Sequence, residues 1–291
     1  MKILVLLLSI TALASDYDNT TMVALGNSFS AGTFANSDGF KPEPQFGIMS
    51  APRDVSWIHK VMFKMTAWPE YSFSTGKKIN SHYVKLNKIF NVKMNPVNIA
   101  VPGDMVEQVA LYQAPQVLGM SEVGYVTIEI GYNDVCRADT PDQMTSVKDF
   151  ESWLRRAIEI MGVDHKLIVL APLADITVLP KIIGGRRTLF VIKTETMWKI
   201  HKFCPIVTDG LYVKEVRQRI AEYNKVLEKV ASEDSVHFAF RKDAANYQPS
   251  AQDVSMWDGF HPSKKGHQKM SDLSFPFEKE WEAIQNPKPT K

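Results

Sequence analysis

Cysteine is scarce: 291 residues hold two, Cys136 and Cys204. That excludes a disulfide-stapled mini-scaffold, and the lack of any CxxC pair excludes a zinc ribbon or a thioredoxin-type redox motif. No HExxH occurs and the seven His are scattered, so neither a metal nor an organic cofactor is expected. Long hydrophobic runs are missing too, none reaching the roughly 18 apolar residues that span a bilayer. Charge of one sign is also missing. The 34 Lys+Arg stand against 32 Asp+Glu, for a net +2 and no basic run, which leaves a nucleic-acid partner without its electrostatic footprint. With 45% hydrophobic and 23% charged residues the chain is not disordered, and its length suffices for one well-buried α/β domain or two small ones.

What is present begins with Lys2, an apolar run from Ile3 to Ile10 and the small-residue pattern Ala12-Leu13-Ala14, followed by the acidic Asp16-Tyr17-Asp18. This is the layout of a secretory signal peptide, so residues 1–14 are expected to be removed and the protein to be secreted or periplasmic. A buried first strand or a loose membrane anchor is the competing reading. Outside the reducing cytosol Cys136 and Cys204 are a candidate disulfide, with two buried free thiols as the alternative.

Short β-branched runs at 21–25, 97–101, 125–130, 167–170 and 236–240 alternate with apolar residues at three- and four-residue spacing over 104–118, 147–161, 213–231 and 264–284, the last broken near Pro276. Strands that each feed a helix predict a parallel sheet covered on both faces, a three-layer α/β/α domain over 15–285 with right-handed crossovers. Two stretches depart from the alternation. Residues 33–96 hold a predicted helix at 55–65 and a polar Gly/Ser/Lys segment, and 172–212 do not return to strand at once. Both are expected to border a crevice at the carboxyl ends of the strands. Residues 286–291 read as a frayed tail.

The chemistry-bearing residues fall just past strand ends. Leu25-Gly26-Asn27-Ser28-Phe29-Ser30 places a Ser where a nucleophile could face the crevice, though a Ser in such a turn is commonly a helix cap. It is neither a Walker loop nor a GxSxG elbow. Asp258-Gly259-Phe260-His261-Pro262 supplies an acid three residues before a His in one short turn. A carboxylate that accepts from one imidazole nitrogen leaves the other free to take a proton from Ser. Between them, Gly103 after the second strand is expected to open a helix and offers a backbone N–H, and Asn133 after the third offers an amide; both are suited to stabilise an oxyanion. Taken singly, each has an ordinary structural explanation. Four in order, all at strand ends, do not share one.

This order of blocks resembles the SGNH subgroup of the GDSL hydrolase superfamily, whose blocks supply Ser, Gly, Asn and His. The resemblance implies an SGNH hydrolase-like, flavodoxin-like fold with a five-stranded, mostly parallel sheet. It makes Ser28 the nucleophile, His261 the base with Asp258 as its partner, and Ser28, Gly103 and Asn133 the oxyanion donors. Asn27 stands where the family's name motif has Asp, a residue that is neither nucleophile nor base. The segments 98–103 and 130–136 look most like the phospholipase B and secreted lipase branches. The implied activity is that of a secreted serine ester hydrolase acting through an acyl-enzyme on a small-molecule or lipid ester, with transient contact at a membrane surface. A carbohydrate O-acetylesterase and a catalytically silent glycan- or protein-binding module are the alternatives. The apolar series of 172–212 reads either as a fatty-acyl wall or as ordinary core, and Trp57, Trp68 and Trp198 are candidates for stacking on sugar. Oligomeric state is not legible.

Overall fold

The computed structural model describes residues 20–36, 67–188 and 192–285; the expected leader at 1–14, the helix at 55–65 and the tail at 286–291 lie outside them. In chain order the strands are β1 (Thr21–Gly26), β2 (Asn95–Asn98), β3 (Val123–Glu129), β4 (Leu167–Leu170), the two-residue β5 (Arg187–Thr188) and β6 (Ile192–Lys193), and β7 (Phe238–Ala239). Five of them form one parallel sheet in the order β2-β1-β3-β4-β7. The pair β5 and β6 is a separate antiparallel hairpin inside the second excursion, unanticipated from the sequence.

The helices are α1 (His82–Phe90), a composite α2 (Val106–Gln108, a π turn Val109–Gln113, Ala114–Leu118), α3 (Tyr132–Cys136), α4 (Val147–Met161), α5 (Leu179–Ile183), α6 (Thr194–His201), α7 (Pro205–Thr208), α8 (Val213–Glu233), α9 (Lys264–Ser274) and α10 (Glu278–Gln285). Alternation along each strand splits the core. Val23, Leu25, Val126, Ile128, Ile168 and Leu170 belong to one cluster with α2, α4 and α8, whereas Met22, Tyr125 and Val169 join Leu86, Phe90, Phe275 and Trp281 of the other layer. The three-layer α/β/α arrangement is thus the observed one.

Departures from the expected elements have local causes. The run at 97–101 is shifted, with β2 at Asn95–Asn98. Pro96 is tolerated there because β2 is an edge strand, and the Asn98 amide turns to Ser30 O (2.9 Å) and ends the strand. Ile99 and Val101 still donate to Ala24 O and Gly26 O of β1, at 3.0 and 3.1 Å. The helix expected from 104 starts at Val106, whose N–H is taken by the Asp134 carboxylate. Gly103 therefore sits in the preceding turn and does not open the helix. Pro115, which has no N–H to give, follows the π turn that widens α2. The last strand shrinks from 236–240 to two residues because the Asp234 carboxylate accepts the N–H groups of Val236 and His237.

Cys136 at the end of α3 and Cys204 before α7 form a disulfide, with Cα atoms 4.2 Å apart and a sequence separation of 68. A loop of that length contributes on the order of 4 kcal/mol in the chain-entropy model. The bridge ties the second excursion to the end of β3. Leu173, Ile183 and Trp198 of that excursion are core residues, so for them the ordinary-core reading is the correct one.

Glu129, the last residue of β3, is fully buried, and burial pushes its carboxyl up to about 8 against the opposing effect of Asn27 and Ser30. The native state therefore keeps a proton that the unfolded chain releases above 4.5. Its stabilising effect is whole below that value and is lost as pH rises through about 8. Asp134, buried and raised to about 7, acts in the same direction. In Glu129→Gln the fall in stability between pH 5 and 8.5 is expected to shrink by a few kcal/mol, read as urea midpoints at the two pH values. Equal slopes for wild type and variant would mean that Glu129 is ionised throughout.

Candidate active site

Past the end of β1, the Asn27 side chain accepts the Phe29 N–H at 2.8 Å, closing the turn that presents Ser28. Gly26 is required just before it: at φ +132° a Cβ would lie 2.0 Å from Glu129 O, so only glycine lets β1 approach β3 there. The Asp258–His261 turn arrives from the other end of the chain. Gly259 gives it φ +67°, and a Cβ there would stand 2.4 Å from Thr194 Cγ2 of α6.

The two segments meet. Ser28 Oγ lies 2.8 Å from His261 Nε2, and His261 Nδ1 makes a short contact with Asp258 Oδ2. The other carboxylate oxygen accepts the N–H groups of Phe260 and His261, at 3.0 and 3.1 Å. All three side chains are buried. With Nδ1 donating to the carboxylate, Nε2 accepts from the Ser hydroxyl, the polarity that general-base activation needs. Rings of Phe29, Phe34, Phe203 and Phe260, with centroids 5.4 to 6.4 Å from the imidazole, hold His261 in an apolar collar.

The remaining predicted residues lie on the neighbouring strand ends. Asn133 is in the first turn of α3, not in an open turn, and its amide nitrogen donates to Asp104 O at 2.9 Å, which orients the group and leaves its second hydrogen available. Gly103 is held by Arg137, which donates to its carbonyl at 2.6 Å. Among the described residues neither the Ser28 nor the Gly103 N–H donates to a protein acceptor. Three donors thus remain for a developing negative charge.

Three residues whose part in the site the sequence did not show lock these blocks together. Gln113 receives the Gly26 N–H and donates to Gly26 O and to the Asp104 carboxylate, all at 2.8 Å, joining the nucleophile turn to the Gly103 turn. Asp134 joins the Gly103 turn to α3. Trp198, 1% exposed, donates its indole N–H to Asp258 O at 2.7 Å. The signal for Gln113 was available as a polar residue on the apolar face of a helix; Trp198 was a candidate for stacking on sugar, and its spacing gave no sign of the bond to Asp258 O. Neither Trp198 nor Trp68, which is 6% exposed, presents a face to sugar, and Trp57 lies outside the described residues. Behind the catalytic wall Phe29, Tyr132 and Phe260 line a cavity of about 60 Å³ with Ile176, Leu179 and Met270. Among the described residues no group of three His, Cys, Asp or Glu is placed to hold a metal, and no helix is long and apolar enough to cross a membrane.

The fold has solved relatives at low identity. A lipase, Lip_vut3, from a goat rumen metagenome shares 15% identity over 88% of this chain and 95% of its own, with a TM-score of 0.50. A GDSL-like lipase from Parabacteroides merdae ATCC 43184, itself described as putative, shares 18% over 91% and 97% with a TM-score of 0.51. A family 3 carbohydrate esterase of Clostridium thermocellum shares 10% over 92% and 100% with a TM-score of 0.50. These likenesses concern the fold. No curated protein matches the sequence. The family model of GDSL-like lipase/acylhydrolase matches residues 22–274, from the second residue of β1 to the last of α9. The chain therefore belongs to the GDSL-like lipase/acylhydrolase family and is a carboxylic ester hydrolase of that type.

Proposed function

We propose that Ser28 is the nucleophile of an exported esterase that cleaves lipid-type acyl esters through an acyl-enzyme. The observation that carries this reading is the 2.8 Å contact of Ser28 Oγ with His261 Nε2, backed by Asp258. His261 takes the hydroxyl proton as Oγ attacks the ester carbonyl, and the resulting oxyanion receives the Ser28 and Gly103 N–H groups and the Asn133 amide. His261 then gives the proton to the leaving alcohol, activates a water, and the acyl-enzyme is hydrolysed to the free acid. Ser28→Ala and His261→Ala are each expected to abolish turnover of p-nitrophenyl butyrate and labelling by a fluorophosphonate, and Asn133→Ala to lower kcat by roughly a hundred- to a thousandfold. Near-wild-type activity in either of the first two would remove the assignment. A wild-type protein that takes no fluorophosphonate would be a binding module.

The burial of Trp68 and Trp198, which leaves neither a face for a sugar ring, favours an acyl over a sugar subsite. Each methylene accommodated contributes up to about 0.8 kcal/mol, roughly fourfold in kcat/KM. Activity is expected to climb from p-nitrophenyl acetate to butyrate and to level off once the acyl chain extends past the apolar surface around Ser28. A steep fall from acetate onward would instead favour the carbohydrate O-acetylesterase.

Export is supported by the leader pattern of residues 1–14 and by the Cys136–Cys204 bridge, since disulfides persist in oxidising compartments. Protein recovered outside the cytoplasm of an expressing host should begin at Ser15 by intact mass. Retention of Met1 in a cytoplasmic product would refute it.

A further inference from the structure

The single turn of α3 closes on the segment that carries Gly103. Asn133 donates to Asp104 O at 2.9 Å, the Asp134 carboxylate accepts the Val106 N–H, and Arg137, at the C-terminal end of the helix, donates through Nη2 to Gly103 O at 2.6 Å. Arg137 differs from the other two in being exposed. A long cation at the surface ordinarily samples solvent or pairs with an acid. Its guanidinium is instead directed at a main-chain carbonyl, and among the described residues no carboxylate pairs with it.

That carbonyl belongs to one of the oxyanion donors. Gly103 stands at φ +88°, in the left-handed region that glycine adopts without steric cost, and with no side chain to pack, its peptide groups turn more freely than those of other residues. A charged donor on its oxygen limits that turning. The N and O atoms of one residue are at most about 3.6 Å apart, so Arg137 Nη2 lies within about 6 Å of the Gly103 nitrogen and within about 9 Å of an oxyanion bound by its N–H. Neighbouring acids make this distance matter. Gly103 and Asn133 are each followed by a buried aspartate, Asp104 and Asp134, and an ionised carboxylate there opposes negative charge on the substrate oxygen. Burial holds the Asp134 carboxyl up at about 7, with Arg137 among the groups that oppose the rise. Asp104 accepts from the Gln113 amide, a neutral donor, at 2.8 Å.

We propose that Arg137 is a positioning residue for ester hydrolysis: it fixes the Gly103 N–H toward the oxyanion and offsets the charge of Asp104 and Asp134 beside it. The proposal rests on the hydrolase reading above and adds to it a residue that acts through Gly103 without touching the substrate. A held donor and a nearby cation act on the transition state, where the carbonyl oxygen is charged, and hardly on the neutral ester. The effect therefore falls on kcat and leaves KM. Because the guanidinium is exposed and screened, it is smaller than the effect of removing an oxyanion donor outright.

The test measures turnover of p-nitrophenyl butyrate and inhibition by butylboronic acid, whose anionic tetrahedral adduct with Ser28 places a charged oxygen where the oxyanion forms. Rates are taken per site titrated with fluorophosphonate, so that unfolded protein does not count. Arg137→Gln, which keeps an N–H donor and loses the charge, is expected to lower kcat about tenfold with KM within twofold, and to raise the boronate Ki by the factor by which kcat/KM falls. Arg137→Lys, which keeps the charge, should retain at least a third of wild-type kcat. A kcat within twofold of wild type for Arg137→Gln, a change confined to KM, an unchanged boronate Ki, or a Lys variant no better than the Gln variant would each overturn the proposal. So would a loss of activity that disappears once rates are expressed per titrated site, which would make Arg137 a structural clamp alone. Wild-type turnover matched by the variants would remove Arg137 and leave the hydrolase; a wild-type protein with neither turnover nor boronate binding would remove the hydrolase reading and the role with it.

Discussion

A 2.8 Å contact between Ser28 and His261, 233 positions apart, is the constraint on which the rest of the molecule depends. Proton transfer tolerates little error in that distance, and neither side chain belongs to a regular element that could set it alone. Ser28 is placed by the end of β1, His261 by a turn that runs into α9. The parallel sheet solves the problem because every strand delivers its carboxyl end to the same edge. The β1–β3 register, Gly26 opposite Glu129, puts the nucleophile turn and the Asn133 helix next to each other before any side chain is chosen.

Backbone placement leaves loops, and loops need ties. Gln113, Asp134 and Trp198 provide them, each joining a catalytic turn to a segment remote in sequence. Their polar groups are buried, so breaking one tie strands its partner without water to replace it, at about 1–3 kcal/mol for each group left unpaired. Precision is thereby coupled to stability. The disulfide serves the same end at larger scale, anchoring the 172–212 excursion whose Trp198 supports Asp258.

Next to Ser28 the interior is polar, with Asn27, Ser30 and Glu129 all buried. Among the described residues both Glu129 carboxyl oxygens, the Asn27 amide nitrogen and the Ser30 hydroxyl are buried without a well-formed hydrogen bond, although Asn27 and Ser30 face the carboxyl and oppose the rise in its pKa. Where the family motif carries Asp, Asn27 avoids setting a second carboxylate against Glu129, whose own proton is retained by burial. The substitution thus has a local electrostatic reason.

Strand and helix identity was legible because it depends on periodicity along the chain. The runs at 167–170 and 147–161 coincide with β4 and α4, and Ser28, Gly103, Asn133, Asp258 and His261 all stood at strand ends or in a short turn. Boundaries were less legible wherever a remote side chain intervened. Asp134 caps α2 from 28 residues away, and no window around Val106 contains it. The role of the second excursion was undecided because its apolar residues serve a wall or a core equally well by composition; packing made Leu173, Ile183 and Trp198 core. The sequence by itself determined which elements form and which residue types stand at their ends, because both are local properties. Only the tertiary structure decided which side chains meet, because contact is a property of residues far apart in the chain.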